Sequence, residues 1–225
     1  MKFFCFLPGF VAIVFLSVAG SAIAKQDELP EVTKEGLHRV PDSKMAVVYA
    51  EPGADLVQYQ RVKLLDPYIA FKKNWARDQR SRSVDPLRIN SRDIEKIKEN
   101  LATEFQEVFR QTLEEGGYEI VAESADDVLL VRPAIINLDV NAPDTMRAGR
   151  SKTFTSSAGE MTLYIELYDS VTGDIIAKAL DRRVDNSRAG LYTWTNSVTN
   201  KVAARKIMKG WANILLDALN EARQQ

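Results

Sequence analysis

Two segments of the chain repeat apolar residues at the spacing of an amphipathic helix. The first follows Asn90 or Ser91, either of which can cap it, and it is expected to end at Gly116 and Gly117. The second closes the chain. Residues three and four apart share a helix face, so each segment is predicted to bury one stripe. The stripes are Ile94, Ile97, Leu101, Phe105, Val108, Phe109 and Leu113, and then Val198, Val202, Ile207, Trp211, Ile214, Leu215, Ala218 and Leu219.

Alternation of apolar and polar residues predicts strands elsewhere in the chain. Residues 161–167 alternate, Gly173 supplies a turn and residues 175–183 return, which together predict a β-hairpin. Pro133 cannot donate a backbone hydrogen bond, so it predicts an edge strand or a bulge where it lies. Further strands are predicted at residues 45–49, 61–71, 118–121 and 128–140.

The order of the elements is strand, strand, helix, several strands and helix, which predicts an α+β fold. We expect a two-layer sandwich, in which a mixed or antiparallel β-sheet carries two long amphipathic helices on one face. The 225 residues suffice for one ordinary domain, which we place at residues 45–222. Residues 25–44 mix charges with prolines and a glycine and lack a clear period, so they are predicted to form a flexible N-terminal arm.

Residues 1–24 have the pattern of a secretory signal peptide. A positive start precedes an apolar run over residues 3–18, and Ala22 and Ala24 are the small residues that a signal peptidase reads. We predict cleavage after Ala24 and a periplasmic location, with no transmembrane anchor left in the mature protein. The rival interpretation is an uncleaved anchor, but the apolar run contains a proline and a glycine and is short for a span of about 20 residues.

The only cysteine, Cys5, lies inside the predicted signal peptide and would be removed with it. The mature chain is then expected to lack disulfides, thiolate metal ligands and a cysteine nucleophile. Bacterial lipoproteins carry a cysteine just after the apolar core of the signal, and Ser21 stands where that cysteine is expected. We therefore expect a soluble protein without a lipid anchor.

The overall charge gives no indication of a nucleic-acid partner. The chain has 30 Lys and Arg residues against 31 Asp and Glu residues, for a net charge of -1, whereas nucleic-acid binders usually carry a basic excess. His38 is the only histidine, so one chain cannot assemble a Ser-His-Asp triad or a multi-histidine metal site. The sequence predicts no catalytic residue, no metal ligand and no cofactor.

The most distinctive candidate for binding is a basic stretch over residues 72–92, which we predict to be a long loop. A second flexible stretch, residues 141–157, also carries basic residues. Arginine grips phosphate or carboxylate with two donors, so an envelope protein, an anionic envelope polymer or a lipid headgroup would suit it. The alternative is an ordinary solvated surface. The candidate binding residues are Trp75, Arg77, Arg80, Arg82, Arg147, Arg150 and Trp194.

Trp194 and the remaining basic residues each have two interpretations. Trp194 could stack on a ligand, but a tryptophan that closes the core from its edge is favoured, because the ring offers a large apolar area. The binding hypothesis gains weight if the basic residues of several segments meet on one rim. Those residues are Arg147, Arg150, Lys152, Arg182, Arg183 and Arg188.

These observations favour a non-enzymatic periplasmic accessory domain that binds an envelope protein or an anionic envelope component. The alternative is a carboxylate-based hydrolase acting on cell-wall or glycan material. A deep pocket with two convergent carboxylates, one of them with a shifted pKa, would favour this alternative. A third hypothesis is a structural protein whose arm over residues 25–44 docks on a partner.

Three stretches are distinctive in their order and spacing. They read YAEPGADL at residues 49–56 with Tyr59 after it, LDVNAP at 138–143, and ELYDSVTGD at 166–174 followed by DRR at 181–183. Together with Trp75, Trp194 and Trp211, they resemble the family filed as domain of unknown function 3313. The resemblance spans roughly residues 45–219, nearly the whole predicted domain.

The resemblance implies a cellular location more than an activity, because members of this family resemble lipoproteins of bacterial envelopes. The sequence departs from the family at Ser21, where a lipid-bearing cysteine is expected, so the resemblance supports export but not lipid attachment. The element order is also similar to small periplasmic α/β domains of cell-wall synthase activators and secretion-channel lipoproteins. That is a likeness of fold, and fold does not fix function.

Overall fold

The computed structural model describes residues 29–82, 90–140, 153–155, 159–185, 193–195 and 197–224. The chain divides into two compact units, Met1–Pro30 and Glu31–Gln225, and the second contains every helix and strand described below. Among the described residues, no helix is both long enough and apolar enough to cross a membrane.

The second unit contains ten strands and three helices within the described residues. The helices are α1 (Trp75–Arg82), α2 (Ser91–Glu115) and α3 (Ser197–Arg223). The strands are β1 (His38–Arg39), β2 (Val47–Ala50), β3 (Arg61–Leu64), β4 (Tyr68–Phe71), β5 (Glu119–Ile120), β6 (Val128–Val140), β7 (Thr153–Thr155), β8 (Gly159–Asp169), β9 (Ile175–Val184) and β10 (Thr193–Thr195).

Eight of the strands form one mixed sheet, in the order β1-β2-β9-β8-β6-β3-β5, with β4 also pairing with β6. The β3, β4 and β5 pairings are parallel, and the others are antiparallel. The predicted hairpin is β8 and β9, whose register joins Leu163 to Asp181. A mixed sheet with helices confirms the α+β class. The remaining pair, β7 and β10, forms a separate two-stranded ribbon.

The segment 61–71 is two strands, not the single strand predicted, because β3 ends at Leu64 and β4 starts at Tyr68. This interruption explains how Pro133 sits within β6, an interior strand. On that side of β6, β3 pairs as far as Val131 and β4 resumes at Ala134, so the missing N–H of Pro133 falls in the gap between them. The prediction of an edge strand or bulge at Pro133 was therefore wrong.

Helix α2 begins where the sequence predicted. The Asn90 side chain accepts a hydrogen bond from the Asp93 backbone N–H, and the Asp93 carboxylate accepts one from the Asn90 N–H, both at 3.0 Å. This reciprocal capping box satisfies two backbone donors at the helix start. After the helix, Gly117 takes a φ of 86°, which glycine adopts without strain.

The hydrophobic core joins residues of α2 and α3 to alternate residues of the sheet. Phe105 and Phe109 stack with their ring centroids 4.0 Å apart. On β8 the core residues are every second one, as a strand with one apolar face requires. The fully buried members with the largest side chains include Trp211, Tyr118, Phe105, Phe109, Leu113, Leu129, Ile135, Leu163, Met208 and Leu219.

The compact unit starts at Glu31, ahead of the predicted boundary at residue 45. The side chain of Leu37 is 1% exposed, and Glu35 forms an ion pair of 2.8 Å with Lys178 of β9. Strand β1 pairs with β2, placing Arg39 opposite Tyr49. Part of the segment predicted as an arm therefore packs on the sheet. No pattern in the sequence indicates this packing, because a two-residue strand has no measurable period.

Candidate functional site

Helix α1 lies where the sequence predicted a loop, and a buried face explains why it forms. Trp75 is 3% exposed, and its ring stacks on Phe71 with the centroids 4.2 Å apart. The Trp75 Nε1–H donates to the Val140 carbonyl at 3.3 Å, and the Gln79 Nε2–H donates to the same oxygen at 3.1 Å. Residues four apart share a helix face, so these two side chains attach α1 to the end of β6.

An open groove of about 490 Å³ lies beside α1. Three cationic side chains line it, Lys72 before the helix, Arg77 on the helix and Lys98 on α2, together with Tyr68, which is 68% exposed. The described residues that line the groove include no aspartate or glutamate. The groove therefore presents positive charge beside an apolar and aromatic wall.

The three cations of the groove have ion-pair partners just outside it. Lys98 pairs with Glu95 at 3.0 Å, and Arg77 lies 3.6 Å from the Asp78 carboxylate. Lys98 and Glu95 are both on α2, and Arg77 and Asp78 are both on α1. All four side chains are partly exposed. Exposed pairs of this kind contribute only about 0 to 1 kcal/mol, so an anionic ligand can compete for the cations.

Lys72 connects the groove to a further arginine on the sheet. Its Nζ lies 3.3 Å from the Asp139 carboxylate and 4.0 Å from that of Glu160. Arg182 of β9 also pairs with Glu160. One carboxylate thus joins Arg182 to the edge of the groove, whereas Arg183 bonds to Asp181 at 2.5 Å. This brings together the basic stretch over residues 72–92 and the basic end of β9.

The structure places the predicted binding residues in different ways. Trp75 is a wall of the groove rather than an exposed stacking platform, and Arg77 lines the groove. Arg80 and Arg82 belong to α1. Trp194 lies in β10, opposite Phe154 of β7, and not in a loop as predicted. The candidates outside the described residues are Arg147, Arg150, Lys152 and Arg188.

Glu166 is a buried carboxylate with several hydrogen-bond donors, and it lies on β8 on the face opposite the core residues. It accepts from the Tyr164 hydroxyl at 2.6 Å, the Tyr168 hydroxyl at 3.0 Å and the Arg132 Nε–H at 2.7 Å. Burial alone would raise the pKa of Glu166, but these three donors outweigh it and lower the pKa. An ionised, saturated carboxylate of this kind serves the structure of the sheet.

Carboxyl pKa shifts bear directly on the hydrolase alternative. A general acid at neutral pH needs a raised pKa. In the described part of the chain, every carboxyl group with a resolved shift has a lowered pKa, and no group of three or more His, Cys, Asp or Glu side chains could hold a metal ion.

Acidification should expose the contribution of Glu166. Because folding lowers its pKa, the carboxylate stabilises the fold above the unfolded-state pKa of about 4.3, and that contribution is lost as the pH falls through the folded-state pKa. We expect the melting temperature to fall less between about pH 6 and about pH 3 in Glu166→Gln than in the wild type. Thermal melts by circular dichroism measure this. The exposed control Glu123→Gln should follow the wild type, and equal slopes for all three proteins would contradict the assignment.

Comparison with known proteins places the chain in a family. The sequence matches the family described as protein of unknown function (DUF3313) over residues 32–215, most of its length. The chain belongs to this family. The match confirms the resemblance seen in the sequence. No curated protein matches the chain significantly.

Several solved structures are similar to this DUF3313 protein at low identity. A Xanthomonas campestris protein of family DUF330 is 13% identical, with a TM-score of 0.42, over 78% of this chain and 91% of that one. The PelC dodecamer from Paraburkholderia phytofirmans is 15% identical, with a TM-score of 0.36, over 72% and 94%. A DUF4136 family protein from Bacteroides thetaiotaomicron is 11% identical, with a TM-score of 0.34, over 75% and 94%.

Proposed function

We propose that this DUF3313 protein is exported to the periplasm and that its domain binds an anionic envelope partner in the groove beside α1, without catalysing a reaction. The observation that carries the proposal is the lining of the groove, which combines Lys72, Arg77 and Lys98 with no carboxylate among its described residues. The signal-peptide pattern of residues 1–24 supports export. Ser21 supports a mature protein without a lipid anchor.

The attachment of α1 supports a binding role. Trp75 and Gln79 fix one side of the helix to the Val140 carbonyl, so the helix backbone that carries Arg77 is held before any partner arrives. A site that is already ordered loses less conformational entropy on binding. The three cations of the groove, Lys72, Arg77 and Lys98, suit a partner with several phosphate or carboxylate groups. Charge-assisted hydrogen bonds between such cations and anions are short and strong.

We also propose that α2 and α3 cover one face of the sheet as a two-layer sandwich. The shared core supports this arrangement, since Phe105 of α2 and Met208 of α3 belong to the same buried cluster as Val131 and Leu163 of the sheet. In such a layout the groove lies where β4, α1 and the start of α2 meet, because its lining comes from those three elements.

Crosslinking in cells tests the binding proposal. The full-length gene is expressed, and the protein is recovered together with whatever is crosslinked to it. We expect the wild-type protein to recover an anionic partner, and the triple variant Lys72→Ser, Arg77→Ser and Lys98→Ser to recover at least about tenfold less, because charged contacts at such a surface set association and specificity. Mass spectrometry of the recovered protein reads its first residue, which export with cleavage after Ala24 predicts to be Lys25.

A matched control separates the groove from net charge. Lys34, Arg39 and Lys206 are exposed and line no part of the groove, so their triple Ser variant removes the same charge elsewhere. It should recover the partner as the wild type does. If both triple variants lose the partner equally, the interaction follows net charge and the groove has no special role. If neither loses it, the proposal is wrong.

A further inference from the structure

A second cavity, of about 410 Å³, lies at the end of β6. Its walls come from the first halves of α2 and α3 and from the adjoining ends of β6 and β8. This size lies in the usual range of small-molecule sites, about 300 to 1,000 Å³.

The inner wall of the cavity is apolar. Leu138, Met161 and Ala204 belong to the buried core and line the cavity, and the partly buried Leu101 and Ile207 complete this wall. An apolar wall favours a ligand with a hydrocarbon or aromatic body, because burying that body removes it from water.

Two oxygen atoms at the cavity have no hydrogen-bond donor in the part of the chain that the structure describes. Asp139 Oδ1 and Asn200 Oδ1 are buried, and neither has a partner among the described residues, although both residues line the cavity. The other oxygen of the Asp139 carboxylate is 3.3 Å from the Lys72 Nζ. Buried polar atoms are nearly always paired, so two unpaired acceptors at one cavity indicate a missing donor.

The charges around the cavity disfavour an anion. Four carboxylates line it, those of Glu104, Asp139, Glu160 and Asp185, against one cation, Lys201. Lys201 is already paired with Glu104. A negatively charged ligand would meet like charge here with no unpaired lysine among the described lining residues to offset it.

We propose that this cavity binds a small amphiphile with an apolar body and a polar end that donates N–H or O–H hydrogen bonds and carries no negative charge. The body packs on the wall formed by Leu138, Met161 and Ala204, and the polar end donates to Asp139 and Asn200. This site is separate from the groove beside α1 and has the opposite preference for charge, so either can be right without the other.

Three probes with the same ten-carbon chain test the proposal by isothermal titration calorimetry on the mature protein. Decylamine and decanol can donate hydrogen bonds, whereas decanoate carries a negative charge. We expect decylamine and decanol to bind, and decanoate to bind at least about tenfold more weakly than decylamine. Decanoate binding as tightly as decylamine, or no binding by any probe, would overturn the proposal.

Variants locate the binding at the cavity. Asp139→Asn should weaken decylamine about tenfold, because it removes the charge that the ammonium meets, and should change decanol less. Asp126→Asn, an exposed carboxylate elsewhere, should leave both affinities unchanged. Ala204→Leu narrows the cavity and should weaken both ligands; if that variant does not fold, the Asp139 comparison decides alone. An unchanged decylamine affinity in Asp139→Asn would refute the assigned site.

Discussion

Replacing Trp211 by alanine is expected to lower the free energy of unfolding by about 3 to 5 kcal/mol, the usual cost of removing a large buried aromatic side chain. Trp211 is 0% exposed, and its Nε1–H donates to the Asp181 carboxylate at 2.8 Å. Asp181 is itself buried and also accepts from the Ala46 backbone N–H at 3.1 Å. The substitution therefore creates a cavity and removes one donor from a buried carboxylate.

Thermal unfolding of the mature protein measures this effect, and we expect a fall in melting temperature of roughly 10 °C for a domain of this size. Val202→Ala is the matched control, because Val202 is on the same helix and 61% exposed. Its melting temperature should stay within about 1 °C of the wild type, as for most surface substitutions. A Trp211→Ala protein as stable as the control would show that α3 does not pack as described.

Gly159→Ala is expected to lower the free energy of unfolding by about 3 kcal/mol, because it strains the backbone at residue 159 and crowds the backbone of the neighbouring strand. Gly159 has a φ of 149°, which residues with a side chain rarely adopt. A Cβ there would also collide with the Asp139 carbonyl oxygen of the neighbouring strand. Because the obstacle is backbone and not a flexible side chain, the ends of β6 and β8 would have to separate. Chemical denaturation followed by circular dichroism measures the loss.

Gly173→Ala separates the cost of the backbone conformation from the cost of the collision with the neighbouring strand. Gly173 also has a positive φ, 76°, but a Cβ added there would meet no atom within 4 Å. We expect it to lose only the cost of a left-handed conformation, about 1 kcal/mol. Equal losses at the two positions would mean that the Asp139 carbonyl moves aside freely, and the close approach of β6 and β8 would then have no energetic weight.

The parts of the fold that local signals specify could be predicted from the sequence. The start of α2 followed from Asn90 as a candidate cap, and the structure adds a reciprocal bond with Asp93 within the same turn. The β8–β9 hairpin followed from alternation and a glycine turn. Both features depend on residues that are near in sequence, so their physics is contained in a short window.

The parts that depend on distant pairings could not be predicted. The position of Pro133 is acceptable only because β3 and β4 are separate strands beside β6, which no local pattern indicates. Likewise, α1 is held by hydrogen bonds from the Trp75 and Gln79 side chains to the Val140 carbonyl, which is 65 and 61 residues away along the chain. Basic composition alone made that segment look like a loop.

The candidate site was predicted in part. Trp75 and Arg77 were identified from the basic stretch, but Lys98 and Tyr68 were missed. Lys98 had the character of an ordinary exposed helix residue, and Tyr68 belonged to a predicted strand. They reach the groove because β4 runs parallel to β6 and brings its residues beside the start of α2. The sequence offered no signal for this juxtaposition.

The edges of the large sheet limit how another chain can attach to it. In the described structure, the terminal strands β1 and β5 have two residues each, and β4 has four. Such short edges leave few unpaired amides and carbonyls in a row to template an added strand. Main-chain augmentation, which needs an extended run of such groups, is therefore a poor route to association. An association at these edges would therefore depend on side-chain contacts, which point substitutions can abolish.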